Sequence, residues 1–202
     1  IIKTPSYKGE LHAYPIINRT SDGNLITVWS HRPGDNSKNK IIGSLSKDNG
    51  KTWSESLDVL DVPERSDGDP CIIVDGDRIL VYSTTVLPPN RITKADIWMV
   101  ESRDEGQTWS RPIEIRTPYN YFIGKRHIGL KLKNRDLLMP SAYDIWAQEA
   151  WTAARTEGEM DMKAGVMLSK DGINWSPFID IHVLAQKVSP FVTNVATDPA
   201  VV

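Results

Sequence analysis

Cysteine, histidine and a paired arginine and aspartate are the side chains here whose types could do chemistry, and each also has an ordinary structural use. Cys71 is the only cysteine, so it can form neither an internal disulfide nor a thiolate metal cluster. Its setting, Asp69-Pro70-Cys71-Ile72-Ile73-Val74, reads as the start of a buried strand, where a thiol packs as a small apolar group. His12 and His127 each open a β-rich run. Imidazole changes charge between pH 5 and 8 and suits acid–base work, although a lone strand histidine is usually structural. In Trp29-Ser30-His31-Arg32-Pro33-Gly34-Asp35 the last four residues are good turn chemistry, and Arg32 and Asp35 can be a solvated pair. His31 and Arg32 are neighbours on extended chain and point to opposite sides.

Charge and hydropathy narrow the partners. Lys and Arg number 24 against 26 Asp and Glu, a formal charge of −2, and the basic residues are scattered among acids. Binding to a phosphate backbone needs clustered Lys and Arg, so the pattern argues against nucleic acid. No stretch approaches the roughly 18 uninterrupted apolar residues of a membrane-crossing helix.

The elements that must position these residues come from a repeat. Ser46-Lys47-Asp48-Asn49-Gly50-Lys51-Thr52-Trp53 matches Ser102-Arg103-Asp104-Glu105-Gly106-Gln107-Thr108-Trp109, with a shorter copy in Ser169-Lys170-Asp171-Gly172-Ile173-Asn174-Trp175. Asp-x-Gly between apolar runs makes a tight turn: Gly supplies the positive φ, and Asp or Ser bonds nearby amides. Trp then offers a large apolar plate to bury. Around each copy the runs are short and β-rich, without helical periodicity. They predict strands at 12–17, 25–30, 40–45 and 54–60; at 70–74, 78–84, 96–101 and 113–116; and at 127–132, 136–142, 164–168 and 178–183. Four short strands repeated radially are the blade pattern of a β-propeller. Tyr143–Glu157, rich in Ala, Gln, Glu and Trp, reads as a helical insertion. The turns lack the oxygen ligands of a calcium loop, so no metal and no cofactor are expected.

With these motifs the chain resembles the Asp-box (bacterial neuraminidase repeat) proteins, whose best-known members are sialidases with six-bladed propellers. The resemblance implies an all-β, six-bladed propeller of sialidase type, of which about three to three and a half blades lie within residues 1–202. The blade units would span about 8–62, 66–118 and 122–186, with the next beginning at 195–202. The chain opens Ile1-Ile2-Lys3 and ends Pro199-Ala200-Val201-Val202 in a strand-like run, so both ends are expected to be cut and the remaining blades to be partners. An open partial propeller leaves end blades uncovered, and poor stability in isolation is expected.

Sialidases use an arginine triad for the substrate carboxylate, an Asp acid/base, and a Tyr nucleophile activated by Glu. A guanidinium fork binds carboxylate bidentately, and a Tyr nucleophile is an exception among glycosidases. Carried over, Arg32 resembles a substrate-binding arginine and Asp35 the acid/base. Asp69, in Asp67-Gly68-Asp69-Pro70, would line the pocket. His12 and Arg126 would bind substrate, with Arg126 in Gly124-Lys125-Arg126-His127-Ile128-Gly129. His127 takes an acid/base role, and Asp198, in Thr197-Asp198-Pro199, stands where the family has Glu. One departure is plain: the family's first arginine, in Tyr-Arg-Ile-Pro, falls on Ala13 of His12-Ala13-Tyr14-Pro15.

The resemblance thus implies a glycan-active hydrolase removing a terminal acidic sugar, secreted or periplasmic, with a glycan or glycoconjugate substrate. Loss of the arginine at Ala13 favours a sugar other than sialic acid. The alternative is a non-catalytic glycan- or protein-binding propeller with a degenerate site, which Ala13 and Asp198 would also fit. A purely structural adhesion module is the third reading, and one free cysteine speaks against it.

Overall fold

A computed structural model describes residues 5–34, 38–87, 95–117, 122–124, 127–144 and 162–180. They form three antiparallel sheets. The first runs β1 (Leu11–Arg19), β2 (Leu25–Arg32), β3 (Lys40–Ser46) and β4 (Leu57–Leu60), in that order across the sheet. The second runs β5 (Ser66–Asp75), β6 (Arg78–Val86), β7 (Ala95–Ser102) and β8 (Ile113–Ile115). The third holds β9 (Phe122–Gly124) and β10 (Leu130–Lys131), both paired to β11 (Leu137–Asp144), then β12 (Met162–Ser169) and β13 (Ile179–Asp180). Among the described residues no helix is long and apolar enough to cross a membrane.

The middle sheet is buried on both faces, and its strands show why they are apolar throughout rather than alternating with polar residues. Ile72, Ile79, Val81 and Val100 face Ile16, Ile26, Val28 and Val59 of the first sheet. The residues between them, Cys71, Ile73, Leu80, Tyr82, Ile97 and Met99, face Leu137, Met139 and Met167 of the third. A side-chain period of two delivers one set to each neighbour. Cys71 is fully buried, and its thiol is pushed up to about 12 by desolvation. It is a core residue, as its setting predicts, and not a nucleophile.

Each first strand of a sheet is interrupted. The β1–β2 register slips between Ala13 and Ile16, and the β5–β6 register between Gly68 and Cys71. The slips fall on Tyr14-Pro15 and Asp69-Pro70, where Tyr14 (φ 57°) and Asp69 (φ 46°) are left-handed. Proline cannot donate to a ladder, so a bulge is where a strand tolerates it. In the third sheet the strand predicted at 127–132 is split into β9 and β10, with His127 between them. The second sheet differs from expectation too: β5 begins at Ser66, not Pro70, because the bulge lets pairing continue past the proline. Tyr143 and Asp144 belong to β11, which corrects the start of the expected helical insertion; 145–157 lie outside the described residues.

The three repeated turns join the third and fourth strands of their sheets and share one hydrogen-bond plan. In the second, Thr108 donates its N–H to Asp104 Oδ1 (2.9 Å) and its hydroxyl to Oδ2 (2.6 Å), while Gly106 N–H reaches Ser102 Oγ (2.9 Å). Asp48 and Thr52 repeat the pattern, and at Asp171 the side chain of Asn174 replaces the threonine hydroxyl. Trp53 and Trp175 each donate their indole N–H to the turn glycine's carbonyl. These bonds hold the Asp carboxyls low, Asp48 at about 2, chiefly through Thr52; Asp104 is lowered by Thr108, and Asp171 by Asn174. A depressed carboxyl contributes stability above its unfolded value near 3.8 and loses it as pH falls through the folded value. Urea midpoints should therefore drop between pH 4 and 2, and Asp104→Asn should flatten part of that drop.

Candidate functional site

Among the described residues, His12, His31, Arg32 and Asp69 stand at one rim, formed by the starts of β1 and β5 and the ends of β2 and β6. Antiparallel pairing brings these together: His12 lies opposite His31, Ala13 opposite Ser30, and Gly68 opposite Thr84. In the third sheet the pairing of β9 with Ser141–Tyr143 occupies the same level.

On the face of the first sheet turned away from the second, four side chains form a chain of contacts. Trp29 donates its indole N–H to His12 Nδ1 (2.9 Å). His12 Nε2 lies 3.3 Å and His31 Nε2 2.9 Å from the same oxygen, Glu10 Oε1. The two imidazoles stack with centroids 5.0 Å apart. Only 7% of the Glu10 side chain is exposed, against 10% for His12 and 17% for His31. The Ser6 N–H bonds Glu10 Oε2. That bond first, then the hydrogen bond and charge of the histidines, holds the Glu10 carboxyl below its ordinary value, against an opposing push from burial.

The ligand atoms of Glu10, His12 and His31 lie within 4.8 Å of one another, a spacing open to a metal ion. The donor set does not fit one. An indole N–H can only donate, so His12 Nδ1 carries the lone pair and Nε2 the proton. A metal-bound histidine needs the reverse, a bare ligating nitrogen and a second N–H given to an acceptor.

Arg32 projects to the other side of β2 from His31, as alternation requires. Its guanidinium carbon sits 5.3 Å from the centre of the Tyr14 ring, a cation–π distance. Among the described residues no carboxylate pairs with it, and its Nε is buried without a hydrogen-bond partner. Asp69 stands at the equivalent bulge of the second sheet. The bulge frees the Gly68 peptide from the ladder, and Ser83 Oγ satisfies both ends of it (3.1 Å and 3.0 Å). Ser30, opposite Ala13, holds in the first sheet the register place that Thr84, opposite Gly68, holds in the second, and Trp29 holds the place of Ser83.

Beside Asp69, Asp67 is fully buried and accepts from Val62 N–H (2.9 Å) and the Thr85 hydroxyl (2.7 Å). Desolvation pushes its carboxyl up to about 6. Its own N–H donates to the Asn39 carbonyl, and Asn39 N–H donates to Ser66 Oγ. This tie anchors the β2–β3 connection to β5. With both oxygens bonded and no exposure, Asp67 braces the rim.

The structure thus joins His12 to the rim with Arg32 and Asp69. His127 stands part-buried in the third sheet, beside the Ile72–Ile128 bridge. Asp35, Arg126 and Asp198 lie outside the described residues. Sequence reasoning missed Glu10, Trp29 and Asp67 as parts of this region. The one available signal was the alternation Glu10-x-His12 facing Trp29-x-His31 across a hairpin.

No protein-family model and no curated protein sequence matches the chain. Solved structures do. The Hadza microbial sialidase Hz136 aligns over 81% of this chain and 36% of its own, with 21% identity and a TM-score of 0.67. The fold is sialidase-like. Trypanosoma rangeli sialidase in complex with the inhibitor DANA aligns at 17% identity and a TM-score of 0.63, over 84% of this chain and 32% of its own. A Dyadobacter fermentans protein of unknown function aligns at 19% identity and 0.63, over 85% of this chain and 55% of its own. The chain therefore spans about a third to a half of the length of these solved structures. At such identities the likeness speaks for the fold, and the rim must be read from its own residues.

Proposed function

We propose that this chain supplies part of the active site of a sialidase-like glycoside hydrolase acting on a terminal acidic sugar. In this reading its three sheets are blades of a six-bladed propeller, and the Ser-x-Asp turns are Asp boxes. The observation that carries it is Arg32: a guanidinium held against Tyr14 at the rim, with no carboxylate partner among the described residues, is suited to a substrate anion. Asp69 enters the same rim from the neighbouring sheet. Asp35 is the proton donor in this scheme, three residues beyond Arg32, and would need burial or a neighbouring charge to raise its pKa. Asp198, His127 and Arg126 complete it from later parts of the chain. A parent acting on glycoconjugates would be secreted or periplasmic.

Ala13 favours a second reading. It occupies the position of the family's first arginine, and a site lacking that grip could bind a glycan or protein without cleaving it.

A panel of fluorogenic glycosides, including sialic acid, glucuronic acid, rhamnose, fucose and galactose, separates the two with the full-length protein. The hydrolase reading expects turnover of one of them that Asp35→Ala abolishes. It also expects Arg32→Ala to lower kcat/KM about 10²-fold for an acidic sugar. No turnover across the panel by folded protein favours the binding module.

A further inference from the structure

We infer that Tyr14 is the residue that positions Arg32 for an anionic sugar, and that the bulge in β1 turns the Tyr14 ring into that place. Side chains alternate along a strand. His12 stacks on His31, on the face turned away from the second sheet. An unbroken strand would put Tyr14, two residues on, on that same face. Arg32 leaves β2 on the opposite face from His31, yet Tyr14 meets it, with the guanidinium carbon 5.3 Å from the ring centre. The bulge accounts for the change of side. Tyr14 and Pro15 together stand opposite Trp29, between the Ala13–Ser30 and Ile16–Val28 pairs, and two residues set against one re-aim a side chain.

That conformation is unfavourable by itself. Tyr14 has φ 57°, left-handed backbone that a bulky side chain avoids, and a following proline favours extended chain. Strain of this kind persists only where the surroundings enforce it, and it gathers at ligand sites. The second sheet carries the same strain at the equivalent slip, where Asp69 (φ 46°) precedes Pro70. This second bulge stands beside the face of β2 that bears Arg32: a Cβ at Gly68 would lie 3.9 Å from Ser30 Oγ, and Ser30 is two residues before Arg32.

Arg32 has a long side chain, and its Nε is buried with no hydrogen-bond partner among the described residues. A ring attracts the cation without using its N–H donors, so those donors stay available to a carboxylate. An acidic side chain in the place of Tyr14 would hold the guanidinium too, but would compete with the substrate for it. Resting on the acidic-sugar reading above, loss of the ring should therefore weaken binding of an anionic sugar.

The test uses the full-length protein. In NMR the Arg32 side-chain protons should carry the upfield ring-current shift of a group over an aromatic ring; Tyr14→Leu should remove it and Tyr14→Phe should keep it. N-acetylneuraminic acid, followed by calorimetry, should bind about fivefold more weakly to Tyr14→Leu, and Tyr14→Phe should rescue it. Urea midpoints check the backbone: Tyr14→Gly should be more stable than Tyr14→Ala, the reverse of the order on an ordinary strand. Absence of the ring-current shift in the unmodified protein overturns the inference, and that reading needs no variant to fold. Unchanged affinity in Tyr14→Leu overturns it too, as does a Tyr14→Phe protein that binds as weakly as Tyr14→Leu, or a Tyr14→Ala protein at least as stable as Tyr14→Gly. No binding by the unmodified protein, with the ring-current shift and the stability order as expected, overturns the acidic-sugar reading and leaves the placement of Arg32 by Tyr14 supported.

Discussion

Replacing Gly172 with alanine should destabilise the protein by about 2–5 kcal/mol, from left-handed strain and overpacking together. Gly172 has φ +84°, and a Cβ there would lie 2.7 Å from Leu80 Cδ1 and 2.9 Å from Tyr82 Oη. Neither neighbour can withdraw cheaply. Leu80 and Tyr82 are fully buried in the second sheet, and the Tyr82 hydroxyl donates to the Gly172 carbonyl (2.8 Å). The third repeated turn is therefore seated on the second sheet, and Arg78 reaches across to the Asp171 carbonyl beside it. The second turn sits on the first sheet in the same way, with Gly106 against Ile26 and Leu45 and Glu105 bonded to Ser21. Gly76 is the control: it is also left-handed (φ +65°), but nothing lies within 4 Å of its Cβ position. Gly76→Ala should cost only about 1–2 kcal/mol. Urea midpoints of the two variants decide the matter. Equal losses would mean that the turn does not clamp one sheet to the next.

Asp67→Asn should raise stability at neutral pH and do nothing in mild acid. The folded carboxyl stands at about 6, pushed up by desolvation from its ordinary value near 3.8. A raised acid binds its proton more tightly when folded, so stability falls as pH rises from about 4 to about 6. That difference corresponds to about 3 kcal/mol at pH 7. Asparagine keeps a neutral group there at every pH. Its oxygen can still accept from Val62 N–H, and the Thr85 hydroxyl can turn to accept from its amide. The urea midpoint of Asp67→Asn should exceed that of the unmodified protein at pH 7.5 and converge with it near pH 4. This window lies above the one set by Asp48, Asp104 and Asp171, which has the opposite sign. A variant less stable at both pH values would show that the ionised carboxylate is needed to brace Asn39 and Val62.

Much of the architecture was legible in the sequence because it rests on local chemistry. Ser-x-Asp-x-Gly makes the same turn wherever it occurs, since its bonds run between residues two to four apart. Continuous apolar runs such as Cys71–Val74 and Ile79–Tyr82 likewise announce a strand buried on both faces. Other features were beyond local reading. Asp69-Pro70 looked like a strand start, yet pairing runs through it, because Ser83 on another strand rescues the bulged Gly68 peptide. The seating of Gly172 on Tyr82 joins residues 90 apart, and no turn motif encodes which sheet it will meet.

The site divides along the same line. Residue type and the family resemblance marked Arg32 and His12 as candidates, for guanidinium and imidazole carry their chemistry with them. Only the paired register of β1 and β2 set His12 against His31 and placed Glu10 and Trp29 at opposite ends of the pair. The Trp29 N–H, brought to His12 Nδ1 by that register, makes this nitrogen the acceptor. The sequence by itself determined the turns, the strands and the kinds of groups at the rim; tertiary structure decided which of them touch, because contacts between distant residues depend on strand register and sheet packing.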